Sequence, residues 1–210
     1  MTRLFDDSHI SLGPSALVLR EFALREEPEL LAALDAVTAA ARFRHMVTPG
    51  GFRMSVGMTN CGALGWVSDR KGYRYDPADP ETGLPWPPLP PSWLRLAARA
   101  AAETGFPDFV PDACLVNRYV PGAKLTLHQD RNERDFAHPI VSVSLGLPAV
   151  FQFGGLERSA KVRRVRLEHG DVVVWGGESR LFYHGVLPLA DGTHPLLGPC
   201  RINLTFRRAG

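Results

Sequence analysis

From Asp112 onward the chain breaks into short β-type runs with Gly, Pro or Asp in most of the gaps. This rhythm constrains the fold more than any other feature. The runs are 113–119, 124–128, 140–146, 149–153, 162–167, 172–175, 181–187 and 200–207. About eight short strands in under 100 residues predict a sandwich or jelly roll, in which each strand finds its partner face only by packing a second sheet.

The first half reads differently. Ala16-Leu17-Val18-Leu19 is a strand candidate, and Pro28 to Ala41 a helix with apolar Leu30, Leu31, Leu34 and Val37 and a first-turn Pro28. Residues 45–91 lack a long period, and the seven prolines between Asp76 and Pro91 forbid a central strand or helix there. The aromatics Trp66, Tyr73, Tyr75 and Trp86 make this stretch a partly ordered cover rather than a linker. Ser92 is expected to cap a second helix that runs through Glu103 and stops at Gly105. The expected fold class is therefore α+β, mainly β: a double-stranded β-helix (jelly roll) with N-terminal helices. The 210 residues form one domain, with an extension at 1–44, the cover at 45–91 and a helix plus jelly-roll core at 92–210.

Composition excludes several classes. No apolar run approaches the roughly 18 residues of a membrane span, and Met1–Asp7 has no signal-peptide core. Cys61, Cys114 and Cys200 are odd in number and lack C-x-x-C spacing, which points to a reducing, cytoplasmic setting and away from a zinc–cysteine site. A net charge of +2 does not by itself argue for nucleic acid.

A metal site is suggested by His128-Gln129-Asp130 followed by His184, since two imidazoles and a carboxylate can occupy one face of a ferrous ion. The H-x-D pair has a twin in His169-Gly170-Asp171, and with seven His and twelve Asp chance supplies roughly 0.4 such pairs. Topology separates the two. Four expected strands lie between His128 and His184, enough to go round the barrel and return, whereas the second motif sits where a Gly-Asp turn enters Val172–Trp175. His128 and Asp130 share a face at period two, as do Arg201, Asn203, Thr205 and Arg207 on the last run, and Asn117 and Tyr119 on an earlier one. Matched polar faces on two strands of a barrel predict a polar interior site.

These residues closely resemble the AlkB family of iron(II)- and 2-oxoglutarate-dependent nucleic-acid dealkylases, in its bacterial type, along nearly the whole chain. The matching stretches include Met46–Gly51, Met58–Gly62, Pro111–Leu115, Asn117–Tyr119, Leu127–Asp130, Phe151–Gly155, Glu168–Gly185 and Cys200–Arg207. The resemblance implies that His128, Asp130 and His184 bind Fe(II). It implies that Arg201 and Arg207, with Asn117, Arg118, Tyr119, Asn203 and Thr205, bind 2-oxoglutarate. It makes 45–91 a nucleotide-recognition lid in which Thr48, Met58, Trp66, Tyr73, Arg74 and Tyr75 meet the substrate, with Asn132, Arg131 and Arg158 as further contacts. The implied reaction is oxidative demethylation of 1-methyladenine and 3-methylcytosine in single-stranded or duplex DNA, the base flipped out, and in RNA. It releases formaldehyde and converts 2-oxoglutarate and O2 to succinate and CO2. The enzyme is expected to act as a monomer without membrane partners.

Two departures stand out: Asn132 replaces the family's usual Asp two residues after the ligand Asp, and Phe52 replaces a Tyr. Asn132 can accept a hydrogen bond but supplies no charge. Basic runs at Arg70-Lys71/Arg74 and from Arg158 to Arg166 are candidate phosphate contacts. An oxygenase of the same fold acting on a small molecule or a protein side chain fits the aromatic, basic cover less well. A non-catalytic sensor would predict an incomplete ligand set.

Overall fold

The computed structural model describes residues 8–210; Met1–Asp7 lies outside the described residues. In chain order the elements are β1 (His9–Gly13), β2 (Ala16–Leu19), α1 (Glu27–Ala40), β3 (Gly57–Gly62), β4 (Gly65–Asp69), β5 (Gly72–Asp76) and α2 (Pro91–Glu103). The barrel strands follow: β6 (Ala113–Tyr119), β7 (Leu125–His128), β8 (Ile140–Gly146), β9 (Ala149–Phe153), β10 (Arg163–Leu167), β11 (Val172–Trp175), β12 (His184–Val186) and β13 (Arg201–Arg207). These last eight coincide with the eight expected runs to within a residue or so, except that β12 is the short centre of 181–187.

A major sheet in the order β1-β2-β11-β8-β13-β6-β3 faces a minor sheet in the order β10-β9-β12-β7. β7 and β12 are antiparallel neighbours with His184 opposite His128, although four strands separate them in sequence. This is the side-by-side arrangement that the strand count anticipated.

Alternation sorts the major sheet into two faces. Ile202, Leu204 and Phe206 of β13, with Val141, Val143 and Leu145 of β8, turn outward and are buried under α1 and α2 through Leu30, Leu34, Trp93 and Leu96. The opposite face looks into the barrel, where Phe151, Phe153, Leu167 and Trp175 form a second core at one end. The helices thus seal one apolar layer, and the polar residues of β13 are confined to the interior.

Two expectations need correction. Ser92 does not cap α2: the cap position is Pro90 and no side-chain cap bond forms. Pro91 opens the helix instead, because its missing N–H would have no intrahelical partner there in any case. Nor is all of 45–91 cover, because β3 is an integral, buried strand of the major sheet paired to β6. Its pattern hid it, since Thr59 and Asn60 are polar yet buried. Thr59 donates to the Ala41 carbonyl, and Asn60 brackets the Trp66 backbone with two bonds of 2.9 Å. The β4–β5 hairpin stands apart as its own small sheet. Among the described residues no helix is long and apolar enough to cross a membrane.

The twin motif is structural. Gly170 adopts φ 89°, and Asp171 enters β11 fully buried. Its carboxylate receives the Arg20 guanidinium and the N–H groups of Glu21 (3.0 Å) and Glu168 (2.8 Å). His169 contacts Glu27 and accepts the Gly146 N–H on Nδ1. Replacing Asp171 with Ala strands those donors, and urea unfolding is expected to show a loss of roughly 2–4 kcal/mol. Metal affinity of the folded variant should stay at the wild-type value; its loss would show that the twin motif has a part in the metal site.

Candidate active site

The site begins where β7 and β12 run side by side. Each imidazole is oriented by the backbone two residues before it: Nδ1 of His128 bonds the Thr126 carbonyl at 2.9 Å, and Nδ1 of His184 bonds the Phe182 carbonyl at 3.0 Å. A carbonyl only accepts, so Nδ1 carries the proton and each Nε2 presents a lone pair. Those two nitrogens and the Asp130 carboxylate lie within 4.8 Å of one another. The separations are 3.7 Å from His128 Nε2 to Asp130 Oδ1 and 3.7 Å from His184 Nε2 to Asp130 Oδ2.

Charge keeps this set ready for a cation. Burial raises the Asp130 pKa, but Arg207 and the two imidazoles more than offset it, holding the carboxyl well below its usual range. Burial, then the neighbouring His128, pushes His184 down to about 4. At neutral pH the centre is therefore one carboxylate and one neutral buried imidazole beside His128. The donor set fits a ferrous ion.

The second part of the site is the inward face of β13. Arg201, Asn203, Thr205 and Arg207 are all buried, and β6 and β8 flank them with Asn117, Tyr119, Ser142 and Ser144. Asn203 donates to Ser142 Oγ at 2.8 Å and to the Val143 carbonyl at 3.0 Å, while Thr205 donates to Asn203 Oδ1 at 2.9 Å. The two arginines then diverge. Arg207 is spent on Asp130 Oδ2, through Nε at 2.9 Å and Nη2 at 2.7 Å. Arg201 gives Nη2 to Ser144 Oγ at 2.9 Å and lies over the Tyr119 ring, but its Nε and Nη1 have no partner at all. A buried guanidinium with donors still free on two of its edges fits an anionic, carboxylate-bearing ligand.

Both parts open into one cavity of about 780 Å³. Every expected site residue lines it except Arg118, Arg74 and Tyr75. Arg118 alternates outward between Asn117 and Tyr119 and stacks on Phe43, 4.7 Å from the ring centroid, so it is not a cosubstrate residue. Arg74 is held inside its own hairpin by Asp69 and Asp76. Tyr75 points down into the body, where its hydroxyl donates to Glu133 Oε1 at 2.6 Å. At the mouth, Trp66 stacks on Tyr73 (centroids 5.6 Å, 14°) and donates Nε1 to Asn132 Oδ1 at 3.1 Å. Thr48 and Arg158 complete this rim, and Met58 lines the cavity deeper in, buried on β3 opposite Asn117.

Sequence reasoning missed Glu133, Arg180, Ser142 and Ser144. Arg180 is buried, donates to the Asp130 backbone carbonyl at 2.8 Å and pairs with Glu133 Oε2 at 3.1 Å. Glu133 also faces Arg207 Nε at 3.5 Å. The serines carried a readable signal, two hydroxyls at period two inside the apolar run 140–146; Glu133 and Arg180 lie on irregular segments and carried none.

The chain matches the model of the 2OG-Fe(II) oxygenase superfamily over residues 15–207. It is 60% identical over 199 residues to the Escherichia coli alpha-ketoglutarate-dependent dioxygenase AlkB, covering 95% of this chain and 92% of that protein. It is 33% identical to the human nucleic acid dioxygenase ALKBH1 over 132 residues, 61% of this chain and 34% of the human protein. The solved structure of OsALKBH1 superposes with a TM-score of 0.82 at 28% identity, covering 95% of this chain and 99% of that one.

The His184 shift has a consequence for stability. Its folded pKa lies below the unfolded value near 6.5, so the unfolded chain binds the extra proton as pH falls through the interval from about 6.5 to about 4. The metal-free protein is expected to lose up to about 3 kcal/mol across that interval, and none of it above pH 7. Urea midpoints for wild type and His184→Gln would check this; equal pH slopes would reject the assignment.

Proposed function

The chain belongs to the 2OG-Fe(II) oxygenase superfamily and, within it, to the AlkB family, and on that footing we propose that it repairs N-methylated bases by oxidative demethylation. It is an Fe(II)- and 2-oxoglutarate-dependent dioxygenase. Bound iron, with O2 and 2-oxoglutarate, supplies the oxidation that hydroxylates an N-methyl group, so that the base is freed with formaldehyde, succinate and CO2. The preferred substrates in this reading are 1-methyladenine and 3-methylcytosine in DNA, and in RNA, acted on by a cytoplasmic monomer.

The observation that carries the reading is the pair of unfilled functions in one cavity: three clustered ligand atoms and, beside them, the two unpartnered donors of Arg201. In this assignment His128, Asp130 and His184 hold the iron, and Arg201 takes the remote carboxylate of 2-oxoglutarate. Asn117, Tyr119, Asn203 and Thr205 shape the slot. Arg207 keeps Asp130 ionised and oriented, and its position in the cavity lets it meet the cosubstrate as well.

The mouth suits a base rather than a small acid. A methylated base cannot be reached within a duplex and must leave the stack. Trp66 and Tyr73 form an aromatic wall and the His128 imidazole lines the same cavity, rings suited to a cationic, electron-poor base. Thr48 and Arg158 are placed to meet the flanking strand, while Met58 lines the cavity from its buried place on β3. Asn132 offers this ring an amide already anchored to Trp66.

Formaldehyde release from methylated oligonucleotides, with iron and 2-oxoglutarate, tests the function directly. Cosubstrate turnover without base repair would reject the dealkylase reading while keeping the oxygenase. Arg201→Lys is expected to raise KM for 2-oxoglutarate by roughly 10- to 100-fold, since a flexible point charge replaces a planar guanidinium held in place by Ser144 and Tyr119. Asn132→Asp is expected to change the ratio of kcat/KM between 1-methyladenine and 3-methylcytosine strands, or to raise both. Identical profiles would remove any role for that position.

A further inference from the structure

We propose that Arg180 is the positioning residue of the metal centre, an inference that rests on the ligand assignment above and deepens it. Arg180 fixes the Asp130 backbone against the segment that carries His184. The pairing of β7 with β12 sets His184 opposite His128. It does not set Asp130, which lies beyond the end of β7 in an irregular segment, residues 129–139. A ligand on irregular backbone has its position supplied by contacts from elsewhere in the fold.

Arg207 holds the Asp130 carboxylate, and Arg180 holds the backbone behind it. Nη1 of Arg180 donates to the Asp130 carbonyl at 2.8 Å, Nε donates to the His138 carbonyl at 3.0 Å, and Nη2 faces Glu133 Oε2 at 3.1 Å. The guanidinium also lies over the Phe136 ring, 5.3 Å from its centroid. One side chain thus closes the irregular segment near both ends and engages its middle. That takes a planar fork with donors on several edges, which a lysine does not have.

Arg180 is itself a fixed point. It is buried, and it belongs to the turn that leads into His184. Past that turn, Tyr183 is bonded through both backbone groups to Gly154 and Gly155 at the end of β9, each at 2.8 Å. A second link runs the other way, since Gln129 Nε2 donates to the Leu181 carbonyl at 2.7 Å. The two segments are therefore cross-stitched: the side chain of 129 reaches the backbone of 181, and the side chain of 180 reaches the backbone of 130. The ordinary explanation of a buried Arg–Glu contact is charge neutralisation. It accounts for Glu133, whereas the bond to the carbonyl of the ligand residue itself links Arg180 to the metal.

Metal affinity and fold stability separate these two roles. Apoprotein would be titrated with Co(II), a divalent stand-in for iron followed by its visible absorption, with urea unfolding run alongside. Arg180→Met should weaken Co(II) binding by roughly 10- to 100-fold. It should also lower the urea midpoint, because Glu133 is left without that partner. Adding Glu133→Gln removes the stranded charge, so the double variant should regain urea midpoint while Co(II) affinity stays low. Arg180→Lys keeps a charge for Glu133 but cannot span two carbonyls, and should weaken Co(II) with less effect on the midpoint. Wild-type Co(II) affinity in Arg180→Met overturns the proposal, as does an affinity that recovers together with the midpoint in the double variant. If Arg180→Met does not fold, the double variant and Arg180→Lys decide by the same criteria. Asp130→Ala binding Co(II) as tightly as wild type would instead reject the ligand assignment, and the role of Arg180 with it.

Discussion

Among the described residues the guanidinium groups of Arg180, Arg201 and Arg207 are buried in or against the barrel, and how each is neutralised organises what surrounds them. An ionised side chain taken out of water is tolerated only when paired and hydrogen-bonded. Arg180 and Arg207 meet that condition within the protein, through Glu133, Asp130 and backbone carbonyls. Arg201 does not, because Ser144 satisfies one nitrogen and two remain without acceptors. Burial accordingly pulls its pKa down. The fold keeps a charge in waiting, and a dicarboxylate cosubstrate is the kind of ligand that would complete it.

The Arg207–Asp130 pair does a different job. It sets the charge of the metal ligand and also joins it to Glu133, which Tyr75 grips from the β4–β5 hairpin. Burial raises the Tyr75 phenol well above its usual pKa, so it stays a donor at any working pH. The hairpin that carries Trp66 and Tyr73 is thus tied to the metal-binding loop by one short chain of polar contacts. The aromatic wall of the mouth and the carboxylate of the centre share a support.

What was legible in the sequence follows from where period-two alternation survives. β6, β8, β9, β11 and β13 are regular and flanked by turn residues, and their bounds match the expected runs. The same rule placed Arg201, Asn203, Thr205 and Arg207 on one face, and strand counting set His128 beside His184 rather than choosing the His169 twin. Alternation likewise sets Arg118 opposite Asn117 and Tyr119, so only the odd positions of that stretch face inward. β3 escaped because its polar side chains are spent on backbone groups of other segments, which leaves no apolar period to read. Glu133 and Arg180 escaped for a related reason: their meaning lies in a pairing across 47 positions of chain between irregular segments.

That contrast also says where substitution in this scaffold should matter. The apolar layer under α1 and α2 tolerates volume-conserving exchange among the many side chains that share it. The polar interior is less forgiving, because most of its members are held by one another and removing one strands a further buried charge or donor beside those of Arg201. Asn132 sits at the boundary between the two regimes. Its amide is anchored to Trp66 but is solvent-facing and uncharged, so it can differ from the family's carboxylate without breaking the network behind it. Under the proposed assignment, exchange at Asn132 would therefore leave the His128–Asp130–His184 cluster and the buried pairs behind it in place.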